Sequence, residues 1–114
     1  MIGCGGIANR HATILQKLER TELAAFCDIA EERARDFAAK YAEGKPPVFS
    51  DYHVMLERVP LDVVYICLPP FAHSDEVEAA AAKGVHVFIE KPIALTMELA
   101  NRMVAATDRA GVKT

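Results

Sequence analysis

Three short stretches carry residue types suited to holding a phosphorylated ligand and moving a proton. Gly3-Cys4-Gly5-Gly6-Ile7-Ala8 fits the pattern G-x-G-x-x-[GA]. In that pattern Gly3 makes a tight turn, Gly5 lets the backbone approach a pyrophosphate, and a small residue such as Ala8 lets the following helix pack close to its strand. A helix starting there offers free N–H groups and the positive end of its dipole to an anion. Asp28 lies twenty residues beyond Ala8, directly after the apolar residues 23–27. A carboxylate at that spacing accepts hydrogen bonds from both hydroxyls of a ribose. Asp28 and Glu31 also read as a D-x-x-E capping box for the next helix, which needs no ligand, and the two roles are compatible. Arg33, one turn further on, either stacks on a base, solvates the helix face or swings toward a phosphate.

The other two stretches follow later apolar runs. Leu68-Pro69-Pro70-Phe71-Ala72-His73 succeeds a run ending at Cys67, and its two prolines make a stiff loop that ends a strand. His73 there reads as a helix-start residue or as part of a ligand-side lining. Glu90-Lys91-Pro92 succeeds residues 85–89. A lysine partly desolvated beside a ligand can donate to, or shuttle a proton from, a substrate oxygen. The alternative is an ion pair of Glu90 with Lys91 or with a solvent-facing partner, followed by a proline that stops the strand.

These residues need a scaffold that brings them to one edge. Residues 23–27, 63–67 and 85–89 are apolar runs of strand length without helical period, the pattern of strands buried on both faces. A weaker strand is expected at residues 47–49. Between them run amphipathic stripes: Ala8, Ala12, Leu15 and Leu18; then Ala30, Ala34, Phe37, Ala38 and Tyr41; then Val77, Ala80 and Ala81; then Leu99, Ala100, Met103, Val104 and Thr107. Gly44, Gly84 and Gly111 read as C-terminal caps and Thr96 as an N-cap. Strands alternating with helices predict an α/β fold with a doubly wound parallel sheet, whose ligand side is the carboxyl edge of the strands.

At 114 residues the chain suffices for one domain. Its 52% hydrophobic and 25% charged residues are those of an ordinary globular protein, and a net charge of −3 offers no footprint for nucleic acid or an anionic membrane. The uncharged residues 63–74 fall far short of the ~20 that span a bilayer, and no secretory signal opens the chain. Cys4, Cys27 and Cys67 lack the spacing of a metal site or disulfide framework and fit a reducing cytoplasm. The chain has at most three residues of a first strand and stops at residues 112–114, where another strand is due. It is therefore expected to be a fragment incomplete at both ends, with Met1 an internal methionine and with ladder groups around the short first strand left unpaired.

Taken together, G-C-G-G-I-A, the C-D at residues 27–28, L-P-P-F-A-H and G-V-H-V-F-I-E-K-P-I-A-L resemble, along essentially the whole chain, the N-terminal half of the glucose-fructose oxidoreductase / inositol dehydrogenase / rhizopine-catabolism (Gfo/Idh/MocA) family. The resemblance implies a Rossmann dinucleotide-binding domain over residues 1–114, with a C-terminal substrate domain absent from this chain. It implies an NAD(P)-dependent oxidoreductase acting on sugars, polyols and related hydroxyl compounds, inactive as this piece alone, with any homo-oligomer formed through the missing domain. By the same resemblance the loop from Cys4 to Ala8 binds the pyrophosphate, Asp28 the ribose, and the loop from Leu68 to His73 lines the cofactor, with Gly3, Arg33 and Cys67 counted among the cofactor-binding residues beside them. Glu90, Lys91 and Pro92 adjoin it, with Lys91 between nicotinamide and substrate and the Lys-Pro bond often cis. Asp28 faces the place of a 2′-phosphate, so NAD is expected over NADP. Two other functions fit this half: an NAD-dependent glycosidase, and a sensor or co-repressor that binds the dinucleotide without turnover.

Overall fold

Five parallel chain segments lie side by side in the order β2, β1, the opening residues, β3, β4 in the computed structural model, which describes Met1–Thr114. In chain order the elements are α1 (Gly6–Leu15), β1 (Phe26–Cys27), α2 (Glu31–Tyr41), β2 (Val48–Phe49), α3 (Tyr52–Arg58), β3 (Val63–Ile66), a 3-10 turn (Pro70–Ala72), α4 (Glu76–Ala82), β4 (His86–Ile89) and α5 (Met97–Ala110). Phe26 pairs with Val48 and Val63 with His86, both in parallel register. Ile2 bridges Cys27 on one side and Ile66 on the other. The order places the switch in winding direction at the opening residues, as the doubly wound reading requires.

Two cores result, one on each face. Ala8, Ala12 and Leu15 of α1 pack with Phe26 and with Ala34, Phe37, Ala38 and Tyr41 of α2. On the opposite face Ile2, Cys27, Val64, Ile66 and Val87 meet Met55, Val77, Ala80 and Met103 from α3, α4 and α5. No helix is long and apolar enough to cross a membrane.

The expected unpaired ladder beside the opening strand does not occur. Cys27 donates to Met1 O and Gly3 to Cys27 O, while Ile2 donates to Tyr65 O and Cys67 to Ile2 O, all at 2.8 Å. Three residues suffice to pair both neighbours because each parallel partner alternates donor and acceptor along the same short stretch. Beyond α5, Val87 donates to Lys113 O at 2.9 Å, so the last residues lie beside β4.

Several expected boundaries move. Residues 23–25 stay outside the ladder because β2 offers only Val48 and Phe49, preceded by two prolines. Leu18 lies past the end of α1 and is exposed, since tight-turn bonds from Lys17 to Ile14 and from Leu18 to Leu15 close the helix. Ala30 caps α2 and Val104 faces solvent, leaving narrower stripes than the sequence suggests. Gly84 and Gly111 adopt positive φ at the ends of α4 and α5 as expected, and Thr96 accepts from Leu99 N at 3.2 Å. Gly44 also has positive φ but serves a turn, because α2 already ends at extended Ala42.

Burial on both faces holds for β1 and fails for β3 and β4, where Val63 and Phe88 are 45% and 41% exposed. The cause is the winding. α4 and α5 both lie on the face opposite α1, so the other side of β3 and β4 is covered only in part, where His11 of α1 lies against Tyr65 and Phe88.

Gly3 is the tightest point of the sheet. Its φ is +84°, and a Cβ there would sit 2.6 Å from the carbonyl oxygen of Cys67. Gly5 would carry a Cβ with no neighbour within 4 Å. Urea unfolding is therefore expected to show Gly3→Ala losing at least ~2 kcal/mol, from left-handed backbone strain plus the backbone clash. Gly5→Ala should stay within ~0.5 kcal/mol of the parent.

Candidate functional site

Every strand points its carboxyl end to one edge, and a continuous cleft opens there at the switch point. Its first part, a cavity of about 540 Å3, is lined by Gly3, Gly5, Cys27, Asp28, Arg33, Cys67, Leu68 and Pro69, together with Ile2, Ile29, Ser50, Asp51, Tyr52, Phe71 and Ala72. Its second part, of about 380 Å3, is lined by Gly5, Gly6, Ile7, Cys67, Leu68, Pro69, Pro70, Glu90 and Lys91. Gly5, Cys67, Leu68 and Pro69 belong to both. α1 begins at this junction with Gly5 as its N-cap and no side chain capping it, which leaves first-turn N–H groups directed at the cleft.

Asp28 is the most constrained acid of the site, at 7% exposure. Its Oδ2 accepts from Cys4 N and its Oδ1 from Ala30 N, both at 2.9 Å, and the Arg33 guanidinium lies 3.6 Å from Oδ2. A carboxylate has about four acceptor positions, so two backbone bonds leave capacity for ligand hydroxyls. The D-x-x-E box does not form. Asp28 turns back to the glycine loop, the helix begins after Ala30, and Glu31 pairs with Arg35.

At the far end of the cleft the Lys91-Pro92 bond is cis, as the resemblance implies. The alternative ion pair of Glu90 with Lys91 does not form. Glu90 Oε1 meets His11 Nε2 at 2.6 Å, and its Oε2 accepts the Lys91 backbone N–H at 3.2 Å. The His11 hydrogen bond holds the Glu90 carboxyl below the usual carboxylate range. The ammonium of Lys91 is exposed and takes part in no ion pair.

Four expected site residues stand outside the cleft lining. Cys4 is buried and contributes its N–H to Asp28. Ala8 is fully buried at the contact of α1 with the sheet, where its small size was required. Pro92, joined to Lys91 by the cis bond, is exposed and lines neither part. His73 turns inward: its ring is fully buried and pairs through Nδ1 with the equally buried Glu76, whose other oxygen accepts from Ser74 N at 2.8 Å. The 3-10 turn at Pro70–Ala72 presents Phe71 and Ala72 to the cleft in its stead.

Burial pushes the thiols of Cys4, Cys27 and Cys67 up, to about 12, 11 and 11. They are protonated at neutral pH and behave as the small apolar residues their spacing suggested. Sequence reasoning missed Ser50, Asp51 and Tyr52, which follow β2, and His11 on α1. The first three had a signal, because any residue after a strand of this sheet reaches the same edge. His11 had none, since its partner is 79 residues away.

The family described as an oxidoreductase family with an NAD-binding Rossmann fold matches residues 1–114. The chain belongs to the Gfo/Idh/MocA family. Among curated relatives, D-apiose dehydrogenase of Paraburkholderia graminis is 39% identical over 112 residues, covering 98% of this chain and 29% of the relative. Among solved structures, the WlbA dehydrogenase from Bordetella pertussis, in complex with NADH and UDP-GlcNAcA, superposes with a TM-score of 0.88 at 33% identity, over 97% of this chain and 34% of its own. KijD10, a 3-ketoreductase from Actinomadura kijaniata in complex with NADP and TDP-benzene, does so with 0.84 at 30%, over 97% and 34%. The chain thus spans about a third of the length of such relatives and constitutes their cofactor-binding domain.

The residues fit a dinucleotide. The open space above Gly5 and Gly6 is where a Cβ would intrude on an approaching pyrophosphate. Gly5→Ala should accordingly weaken NAD binding by roughly tenfold or more while the urea midpoint stays near that of the parent. Titration calorimetry on the full-length protein checks this.

Proposed function

We infer that the complete protein is an NAD-dependent dehydrogenase of a sugar, polyol or related hydroxyl compound, and that residues 1–114 hold its cofactor and its acid/base lysine. The observation that carries the reading is the unpaired Lys91 ammonium, standing where the second part of the cleft continues from the Asp28 cavity. The relatives support the substrate class, since D-apiose dehydrogenase is named for a sugar and the WlbA dehydrogenase is bound to UDP-GlcNAcA.

In this reading Asp28 accepts from the ribose hydroxyls, and the N–H groups of residues 5–7 hold the pyrophosphate. Leu68, Pro69 and Pro70 form a stiff wall that keeps water from the nicotinamide end. The cofactor supplies hydride transfer when bound. Lys91 donates a hydrogen bond to the substrate oxygen, stabilising negative charge that grows there, and passes a proton to or from that oxygen. A binder without turnover has no use for an ammonium kept free of its neighbouring carboxylate, which weighs against a pure sensor. Full-length protein incubated with NAD and a panel of D-apiose, free aldoses and cyclic polyols should show growing nicotinamide absorbance with at least one. Silence across the panel would count against it.

Cofactor choice follows from charge. Two unit charges ~4 Å apart at an effective dielectric of ~20 repel by ~4 kcal/mol, so Asp28 disfavours a 2′-phosphate by up to several hundredfold. Arg33 lies on the same carboxylate but is more than half exposed, and solvent screens most of what it could return. Binding titrations with both dinucleotides should favour NAD, and Asp28→Ser should narrow the gap. Equal affinity in the parent overturns the assignment.

Lys91 acts mainly on the transition state. Removing a preorganised donor of this kind typically costs ~10²–10³ in rate. Lys91→Met, which keeps the aliphatic stem, is expected to leave NAD affinity within a few-fold while turnover at saturating substrate collapses. Near-normal turnover would make the lysine a mere strand-end residue.

A further inference from the structure

His11 belongs to none of the ligand contacts above, yet it reaches from the middle of α1 to the residue preceding Lys91. Its ring packs against Tyr65 at 5.6 Å and edge-on to Phe88 at 5.2 Å, and those two rings stack at 4.5 Å. This aromatic seat aims Nε2 at Glu90 Oε1, 2.6 Å away, with the two side chains 18% and 15% exposed. An ionised carboxylate only accepts, so Nε2 carries the proton in this contact. The second oxygen of Glu90 is taken by the Lys91 backbone. Both oxygens are therefore occupied by partners other than the adjacent ammonium.

We propose that His11 is a positioning residue that keeps the Lys91 ammonium unpaired by holding Glu90 away from it. Without the imidazole, Oε1 has lost its donor, and the nearest cation on the same turn is Lys91. The freed carboxylate then pairs with the ammonium, competing with the substrate oxygen for its protons. The consequence for turnover rests on the catalytic reading of Lys91 given above, but the pairing itself does not, and it is read directly from the reactivity of the amine.

The experiment measures the acetylation rate of Lys91 in the full-length protein by an N-hydroxysuccinimide ester, using peptide mass spectrometry with exposed Lys83 as the internal reference. An ion pair of this kind is worth ~0.2–1 kcal/mol, so His11→Phe should slow Lys91 acetylation by roughly 1.4- to fivefold. The phenyl ring retains the contacts to Tyr65 and Phe88, and His11→Leu is the second variant, with the same expectation. His11→Gln, which keeps an N–H donor, should restore the parental rate. In a Glu90→Gln background, where no charge remains to trap the lysine, His11→Phe should have no effect. An unchanged rate in His11→Phe and His11→Leu, or equal slowing with and without Glu90→Gln, overturns the proposal. Near-normal turnover in Lys91→Met overturns the catalytic reading alone and leaves the acetylation result standing.

Discussion

The opening strand can run between β1 and β3 only because nothing projects from the Cα of Gly3. The Cys67 carbonyl occupies the space a side chain would need. That approach puts Ile2 in bonding distance of both neighbours, so three residues pair the whole switch point. Once the strand is seated, the chain must leave it through the glycine turn, and α1 starts with its free N–H groups at the carboxyl edge. The cleft is thus a by-product of satisfying the sheet, which is the general reason parallel sheets place ligands there.

Asp28 extends the same constraint sideways. One carboxylate joins the glycine loop through Cys4 N and the start of the α2 connection through Ala30 N. The Gly5 end and the Asp28 end of the cleft are therefore set relative to each other before any ligand arrives. On the other side the His11–Glu90 contact ties α1 to the Lys91 turn. Both ends of the cleft hang on the first fifteen residues of the chain, and the distance between them is governed by one short helix.

Much of this was legible because it is local. The glycine spacing, the acid after the apolar run 23–27 and the E-K-P triplet are written in contiguous residues, and strand–helix alternation fixes which edge they share. What escaped was of three kinds. The extent of β1 depended on its partner, because two prolines before Val48 shorten the ladder from across the sheet. The direction of His73 depended on Glu76, whose burial draws the imidazole inward although the spacing equally suits a cleft residue. The fate of Glu90 depended on His11, a partner only the fold supplies. For β1 and Glu90 the deciding interaction joins positions whose proximity no sequence period encodes, whereas His73 and Glu76 stand three residues apart and what the sequence hides there is the burial of the pair.

The three cysteines surround the glycine turn, all buried, and all with thiols whose ionisation lies well above neutral pH. Since the thiolate is the nucleophile, these protonated thiols react slowly with an alkylating reagent, and Cys4, which lines neither part of the cleft, is reached only when the sheet opens. Label incorporated at Cys4 consequently dates an opening of the strand junction itself, and comparing that rate with and without dinucleotide would weigh how tightly the ligand staples the two halves of the sheet.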